Sequence, residues 1–231
     1  MPLTPTVLVT LVAAALALVT PARGEVYKQL SDFPPGGSAL ASMWVRQGDD
    51  PAFAAAYDDF TLSGPATITG VKWHGGYFLP PTQVPIFQFT VTFYSTNPAG
   101  EPDTVGSWLN QTVAPGTAGE TYLGTTPGMS PVRVYDYGLT LTTPFSASAG
   151  TKYWLSIVPD TQGASPEWGW LTGTGGNGVM FEELHHVRSW YPSDLAFILV
   201  PEPSSLVGLL SAGALGLAAY GWRRRRHAKL A

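Results

Sequence analysis

Phe87-Gln88-Phe89-Thr90-Val91-Thr92-Phe93-Tyr94 decides the fold class of this chain. In an extended backbone Phe87, Phe89, Val91 and Phe93 share one face and Gln88, Thr90 and Thr92 the other, the period-2 alternation of a half-buried strand. Working outward, Tyr153-Trp154-Leu155-Ser156-Ile157-Val158 and Leu195-Ala196-Phe197-Ile198-Leu199 repeat the pattern with apolar residues on both faces, which suits central strands. Weaker strand candidates are Asp59 to Leu62, Thr67 to Trp73, Trp108 to Val113, Thr121 to Gly124, Val132 to Leu141, Trp168 to Leu171 and Gly178 to Glu182. Turn chemistry separates them at Asn97-Pro98-Ala99-Gly100, Ala114-Pro115-Gly116, Thr126-Pro127-Gly128 and Gly173-Thr174-Gly175-Gly176-Asn177-Gly178. About ten short strands, with no helical stretch of convincing length between residues 25 and 200, predict an all-β domain. The expected architecture is an antiparallel β-sandwich, jelly-roll-like, with a closed barrel as the alternative. No repeat of roughly 20–50 residues is present, which argues against a propeller or solenoid.

The 231 residues include no cysteine, which excludes disulfides, thiol catalysis, thiolate metal sites and a cysteine-linked lipid anchor. A core must therefore come from packing alone. Residues 25 to 200 hold 7 Trp, 9 Tyr and 10 Phe, each able to bury about 150–250 Å². The formal net charge of −4 is an average over unlike parts. Glu25 to Val200 carries six cations against fifteen acids, a balance of −9, whereas the arginines cluster at the C-terminal end. A domain this acidic repels phosphate, so nucleic acid is not an expected partner.

Both ends read as targeting segments. Val7 to Val19 is an apolar run of 13 residues, too short to cross a bilayer core of about 30 Å but within the range of a signal-peptide core. Ala22 and Gly24 occupy the small-residue positions of a cleavage site, so residues 1–24 are expected to be a signal peptide removed after Gly24. Ser204 to Trp222 is a stretch of 19 residues without a charge, about 28 Å as a helix and long enough to span. Arg223, Arg224, Arg225 and Arg226 follow at once, and the positive-inside rule places them in the cytoplasm with the acidic domain, 25–200, outside. Residues 227–231 form a short cytoplasmic tail.

Pro201-Glu202-Pro203 directly precedes the apolar span. The order Val-Pro-Glu-Pro-Ser, an apolar span, then an arginine cluster at 201–226 resembles the PEP-CTERM sorting signal. That resemblance implies recognition by an exosortase, a membrane-embedded, cysteine-protease-like transpeptidase of exopolysaccharide-producing Gram-negative bacteria. It also implies an inner-membrane-anchored precursor, removal of the tail with its arginines, and sorting to the cell envelope or extracellular matrix. The domain itself loosely resembles other PEP-CTERM cargo of unassigned activity. The matching stretches are Tyr57-Asp58-Asp59-Phe60, Val71-Lys72-Trp73 with Gly75-Gly76, Gly150 to Ile157, Trp168-Gly169-Trp170 and Asp194-Leu195-Ala196-Phe197.

Reactive side chains are sparse. His74, His185 and His186 are the histidines of the domain, and Glu182-Glu183-Leu184-His185-His186 matches no zincin pattern. Adjacent histidines in extended backbone point oppositely, so they are read as loop residues. Asp49-Asp50 and Asp58-Asp59 offer carboxylates for a structural calcium ion, with Asp58 and Asp59 the candidate ligands, although no EF-hand spacing is present. No other cofactor is expected. No G-x-S-x-G, no P-loop and no dinucleotide-binding context occurs, so the chain is not expected to be an enzyme, and a carbohydrate-active hydrolase stands behind the other readings. The expected role is structural or adhesive. The alternative is an exopolysaccharide-binding module in which Trp168, Trp170, Trp190 and Tyr191 stack on sugar rings, since Trp168 and Trp170 project to the same side of a strand.

Overall fold

The computed structural model describes residues 25–44, 53–78, 83–105, 108–115, 119–128, 130–162 and 167–202. The expected signal peptide with Ala22 and Gly24, the Asp49-Asp50 pair, Pro203, the expected membrane helix and Arg223 to Arg226 lie outside the described residues. Fifteen strands are described, and no helix is found among the described residues. In chain order they are β1 (Tyr27–Ser31), β2 (Ala39–Ala41), β3 (Met43–Trp44), β4 (Phe53–Thr61), β5 (Ala66–Tyr77), β6 (Gln88–Tyr94), β7 (Asn110–Pro115) and β8 (Thr121–Thr125). There follow β9 (Arg133–Ala147), β10 (Lys152–Asp160), β11 (Trp168–Thr174), β12 (Met180–Leu184), β13 (Val187–Tyr191), β14 (Asp194–Leu195) and β15 (Phe197–Pro201).

They form two sheets. The first runs β14-β11-β1-β15-β5-β9-β8, with β2 on β11 and a second pairing of β11 with β5. The second runs β13-β12-β4-β3-β10-β6-β7, with β4 also pairing β10. The strand pairs are antiparallel except for a single parallel register, Asp160 opposite Trp44. This is a sandwich of two open sheets and not a closed barrel, and its strands outnumber the eight of a simple jelly roll.

The alternation read from the sequence explains the packing. Phe89, Val91 and Phe93 of β6 are fully buried and face the first sheet, where Phe145 of β9 stacks on Phe93 at 4.5 Å between ring centroids. Trp73 and Tyr137 lie parallel at 5.5 Å, and Phe89 meets both edge-on. Offset and edge-to-face pairs of this kind add about 0.5–1.5 kcal/mol each beyond their buried area. Phe87 departs from the expectation: it is exposed, because the strand begins at Gln88 and the irregular segment before it buries Ile86 instead.

Each sheet also carries a smaller apolar layer on its outer face. On the first, Val132, Val134 and Leu171 pack with Phe33, Ala39 and Phe78. On the second, Ala55, Tyr57 and Trp154 pack with Tyr94, Val158 and Phe181. One side of the sandwich is laced by side chains: Asn110 Nδ2 donates to Thr143 O, and the Thr112 and Thr142 hydroxyls pair at 3.2 Å, joining β7 to the free edge of β9.

Candidate functional site

The four aromatic residues expected to form a sugar platform are not brought together. Trp168 and Trp170 do share one side of β11, but that side is the core, and both indoles are fully buried. Trp170 Nε1 donates to Ala196 O at 2.9 Å and Trp168 Nε1 to the Tyr137 hydroxyl at 3.0 Å. These two cannot stack on a ligand. The reason lies in the partner strand, where Gly75 opposite Trp170 leaves the space that the Trp168 ring fills: a Cβ there would sit 2.1 Å from Trp168 Cζ2. Trp190 is 63% exposed on edge strand β13. Tyr191 follows it in the strand and so takes the opposite face, its hydroxyl donating to Glu182 Oε2 at 3.1 Å.

The carboxylates are occupied by structural contacts. Asp58 and Asp59 are consecutive in β4 and point to opposite faces. Asp58 accepts from the Asp59 and Leu195 amides, the second bond fastening β4 of one sheet to β14 of the other. Burial pushes the Asp58 carboxyl well above the ordinary range, against the lowering effect of the Leu195 N–H and with Asp194 adding negative charge nearby. Asp59 accepts from Asn177 Nδ2 at 2.8 Å and faces the Lys152 ammonium at 2.8 Å. Asp194 accepts from the Gly176 and Gly178 amides, pinning the glycine-rich loop. The two carboxylates offered as calcium ligands thus diverge, and protein donors meet oxygens of each. Among the described residues no group of three or more His, Asp or Glu is placed to hold a metal.

Glu120 was not legible as a special residue, yet it gathers donors from three segments. The Tyr77 and Tyr137 hydroxyls donate to its Oε1 at 2.6 and 2.9 Å, and the Gln83 amide donates to its Oε2. Burial raises the pKa of both tyrosines, which keeps their hydroxyls protonated as donors. A carboxylate held this way is an anchor for the aromatic core. The histidines are equally committed. His185 and His186, at φ 47° and 65°, form the two-residue turn between β12 and β13, and His74 faces Asp136 at 3.6 Å on the outer face of the first sheet.

Two exposed tryptophans, Trp44 and Trp190, lie on the outer face of the second sheet. Directly opposed residues share a face, so one row crosses six strands there, Trp190, Phe181, Tyr57, Ser156, Thr92 and Gln111, of which Tyr57, Ser156 and Thr92 are buried. Beside that row a hollow of about 170 Å³ is lined by Trp44, Tyr94, Gln88, Thr90, Gln111 and Asp160, among others. Trp44 is 44% exposed, and Tyr57 and Tyr94, which meet edge-on at 5.8 Å, share the lining with it. Arg188 of β13 reaches Thr104 Oγ1 at 2.6 Å and Pro102 O at 3.2 Å in the loop after β6, while its guanidinium lies 5.4 Å from the Tyr57 ring.

The C-terminal exit is well defined. β15 is central, between β1 and β5, and buries Phe197 and Leu199. It ends at Pro201, whose carbonyl accepts from the Thr69 hydroxyl at 3.1 Å, and Glu202 beyond it is exposed.

Comparison with known proteins agrees with this division. A family model described as a domain of unknown function, DUF7901, matches residues 42–195. A second, the PEP-CTERM protein-sorting motif, matches residues 199–226. The chain thus carries an exosortase sorting signal and is an exported protein of the cell envelope or extracellular region. No curated protein matches it. Among solved structures, a CocE/NonD family hydrolase from Staphylococcus aureus superposes with a TM-score of 0.28 at 9% identity, over 79% of this chain and 42% of that one. The structure of infectious bursal disease virus Gx strain gives 0.18 at 16% identity, over 77% and 43%. The chain spans less than half the length of either, and neither likeness carries an argument about fold or activity.

Proposed function

We propose, for a chain that belongs to the DUF7901 family, a structural or adhesive role without catalysis in the envelope or extracellular matrix, reached after an exosortase removes the sorting tail. The observation that carries this reading is the junction at Pro201. The folded domain completes its central strand there, and the sorting motif begins in the same residues, with Glu202 exposed for a processing enzyme. Tail removal beyond Leu199 leaves every buried residue of β15 in place.

The non-catalytic part of the proposal rests on how the buried acids are used. Asp58, Asp59 and Asp194 tie strands and loops to one another, and Glu120 anchors tyrosines, so each accepts hydrogen bonds that hold the sandwich. In a disulfide-free exported domain such ties replace covalent staples. The test is a deletion strain of the producing organism, compared with the wild type for matrix cohesion under shear. The reading predicts a weaker matrix restored by the intact gene, including a form carrying Glu120→Gln. Unchanged cohesion, with the protein recovered free in the medium, would overturn it.

A further inference from the structure

We propose that the outer face of the second sheet, centred on the hollow beside Trp44, binds a neutral polysaccharide. The inference rests on the adhesive reading and deepens it by naming the adhesive face and its ligand class. The lining pairs ring faces with uncharged polar groups. Trp44 and Tyr94 supply aromatic surface, Gln88 and Gln111 supply amides, and Thr90 supplies a hydroxyl. A pyranose needs that combination, because its C–H face is apolar and its edge is a row of hydroxyls that both donate and accept. The hollow is open to the surface, and Trp44 is 44% exposed, so a ring can be reached without unfolding anything.

Charge selects among polysaccharides. Two ion pairs lie on this face, Arg188 with Glu183 at 2.9 Å and Lys152 with Asp59 at 2.8 Å. Asp160, the carboxylate in the lining, accepts from the Gln162 amide at 2.9 Å. With a balance of −9 between residues 25 and 200, the domain repels a polyanion and has no field with which to recruit one. Trp190 is a second exposed ring on the same face, at edge strand β13, while Tyr57, Ser156 and Thr92 between it and Gln111 are buried.

The experiment is affinity electrophoresis of the full chain, in a detergent without a sugar headgroup, through native gels. The gels contain galactomannan, β-1,3-glucan, dextran, the producing organism's own exopolysaccharide, or alginate as the polyanionic control. The proposal predicts retardation by at least one neutral polymer and none by alginate. Trp44→Ala should weaken it at least tenfold and Gln88→Ala at least threefold, with both variants melting like the wild type. Tyr122→Ala, an exposed aromatic of the other sheet, should change nothing. Four results would overturn the proposal: no retardation by any neutral polymer, retardation by alginate alone, retardation indifferent to Trp44→Ala, or equal loss in Tyr122→Ala. A Trp44-dependent dimer in place of retardation would assign the face to a second copy of the chain and overturn it as well. None of these outcomes alters the matrix-cohesion result, so the two readings fail separately.

Discussion

Truncating Trp168 or Trp170 to alanine should cost the domain a large fraction of its stability, and truncating Trp190 should cost almost none. Both core indoles are fully buried between the sheets. Removing about 200 Å² of buried ring at about 25 cal/mol per Å² gives about 5 kcal/mol, at the upper end of the roughly 3–5 kcal/mol typical of such truncations. Trp168→Ala also deprives the Tyr137 hydroxyl of its indole donor and opens a cavity against Phe89 and Tyr137. Trp190, 63% exposed on an edge strand, falls among surface positions whose changes stay within about 0.5 kcal/mol. Urea unfolding at neutral pH, followed by far-ultraviolet circular dichroism, measures all three. For a domain of this size each kcal/mol corresponds to about 2–4 °C in melting temperature, so heating provides a second reading. A loss below about 1 kcal/mol for Trp168→Ala or Trp170→Ala would refute the assignment of these rings to the core and return them to the surface.

Gly75→Ala should destabilise by at least about 1–3 kcal/mol, as overpacking does, because the added Cβ would lie 2.1 Å from the Trp168 ring; calorimetry of the variant checks it. Replacing His185-His186 by Asn-Gly should stabilise by about 1–2 kcal/mol, since both histidines hold positive φ in a two-residue hairpin turn that asparagine and glycine adopt without strain. Chemical denaturation of that double variant reads the gain, and a loss would contradict the turn assignment. Asp58 sets a pH dependence. Its folded-state pKa is raised by burial, so the native state holds a proton that the unfolded chain has released above about pH 3.9. The Asp58 contribution to stability therefore falls as pH rises through that window and levels off above the folded-state pKa. Asp58→Asn removes the slope, so wild type minus variant, measured by urea midpoints from acid to neutral pH, should decline with rising pH; a rise would reverse the sign of the argument.

The sequence carried the strand alternation because period 2 is a local property, and β6 reads directly from Phe89, Val91 and Phe93. It could not say which side of a strand is the core. Trp168 and Trp170 were legible as neighbours on one face, but only the partner strand, with Gly75 beneath the Trp168 ring, decides that the face points inward. β13 is not legible in the sequence because it is an edge strand with Val187 and Trp190 exposed, and because a His-His turn lacks the usual glycine or asparagine. In the sequence Asp58 reads as a candidate calcium ligand. Its role depends on Leu195, far away in the chain, whose amide it meets across the two sheets. The hollow beside Trp44 is similarly non-local, since β3 joins β10 through the single register that sets Trp44 against Asp160.

The account stands or falls on a domain delivered intact and separated from its basic tail. Intact-mass analysis of the chain recovered from the matrix fraction of the producing organism tests that most directly. The prediction is a species that begins at Glu25 and ends beyond Leu199 without Arg223 to Arg226, so that β15 stays whole and the recovered protein keeps its acidic balance. A matrix species still carrying those arginines, or one cut before Phe197, would contradict it.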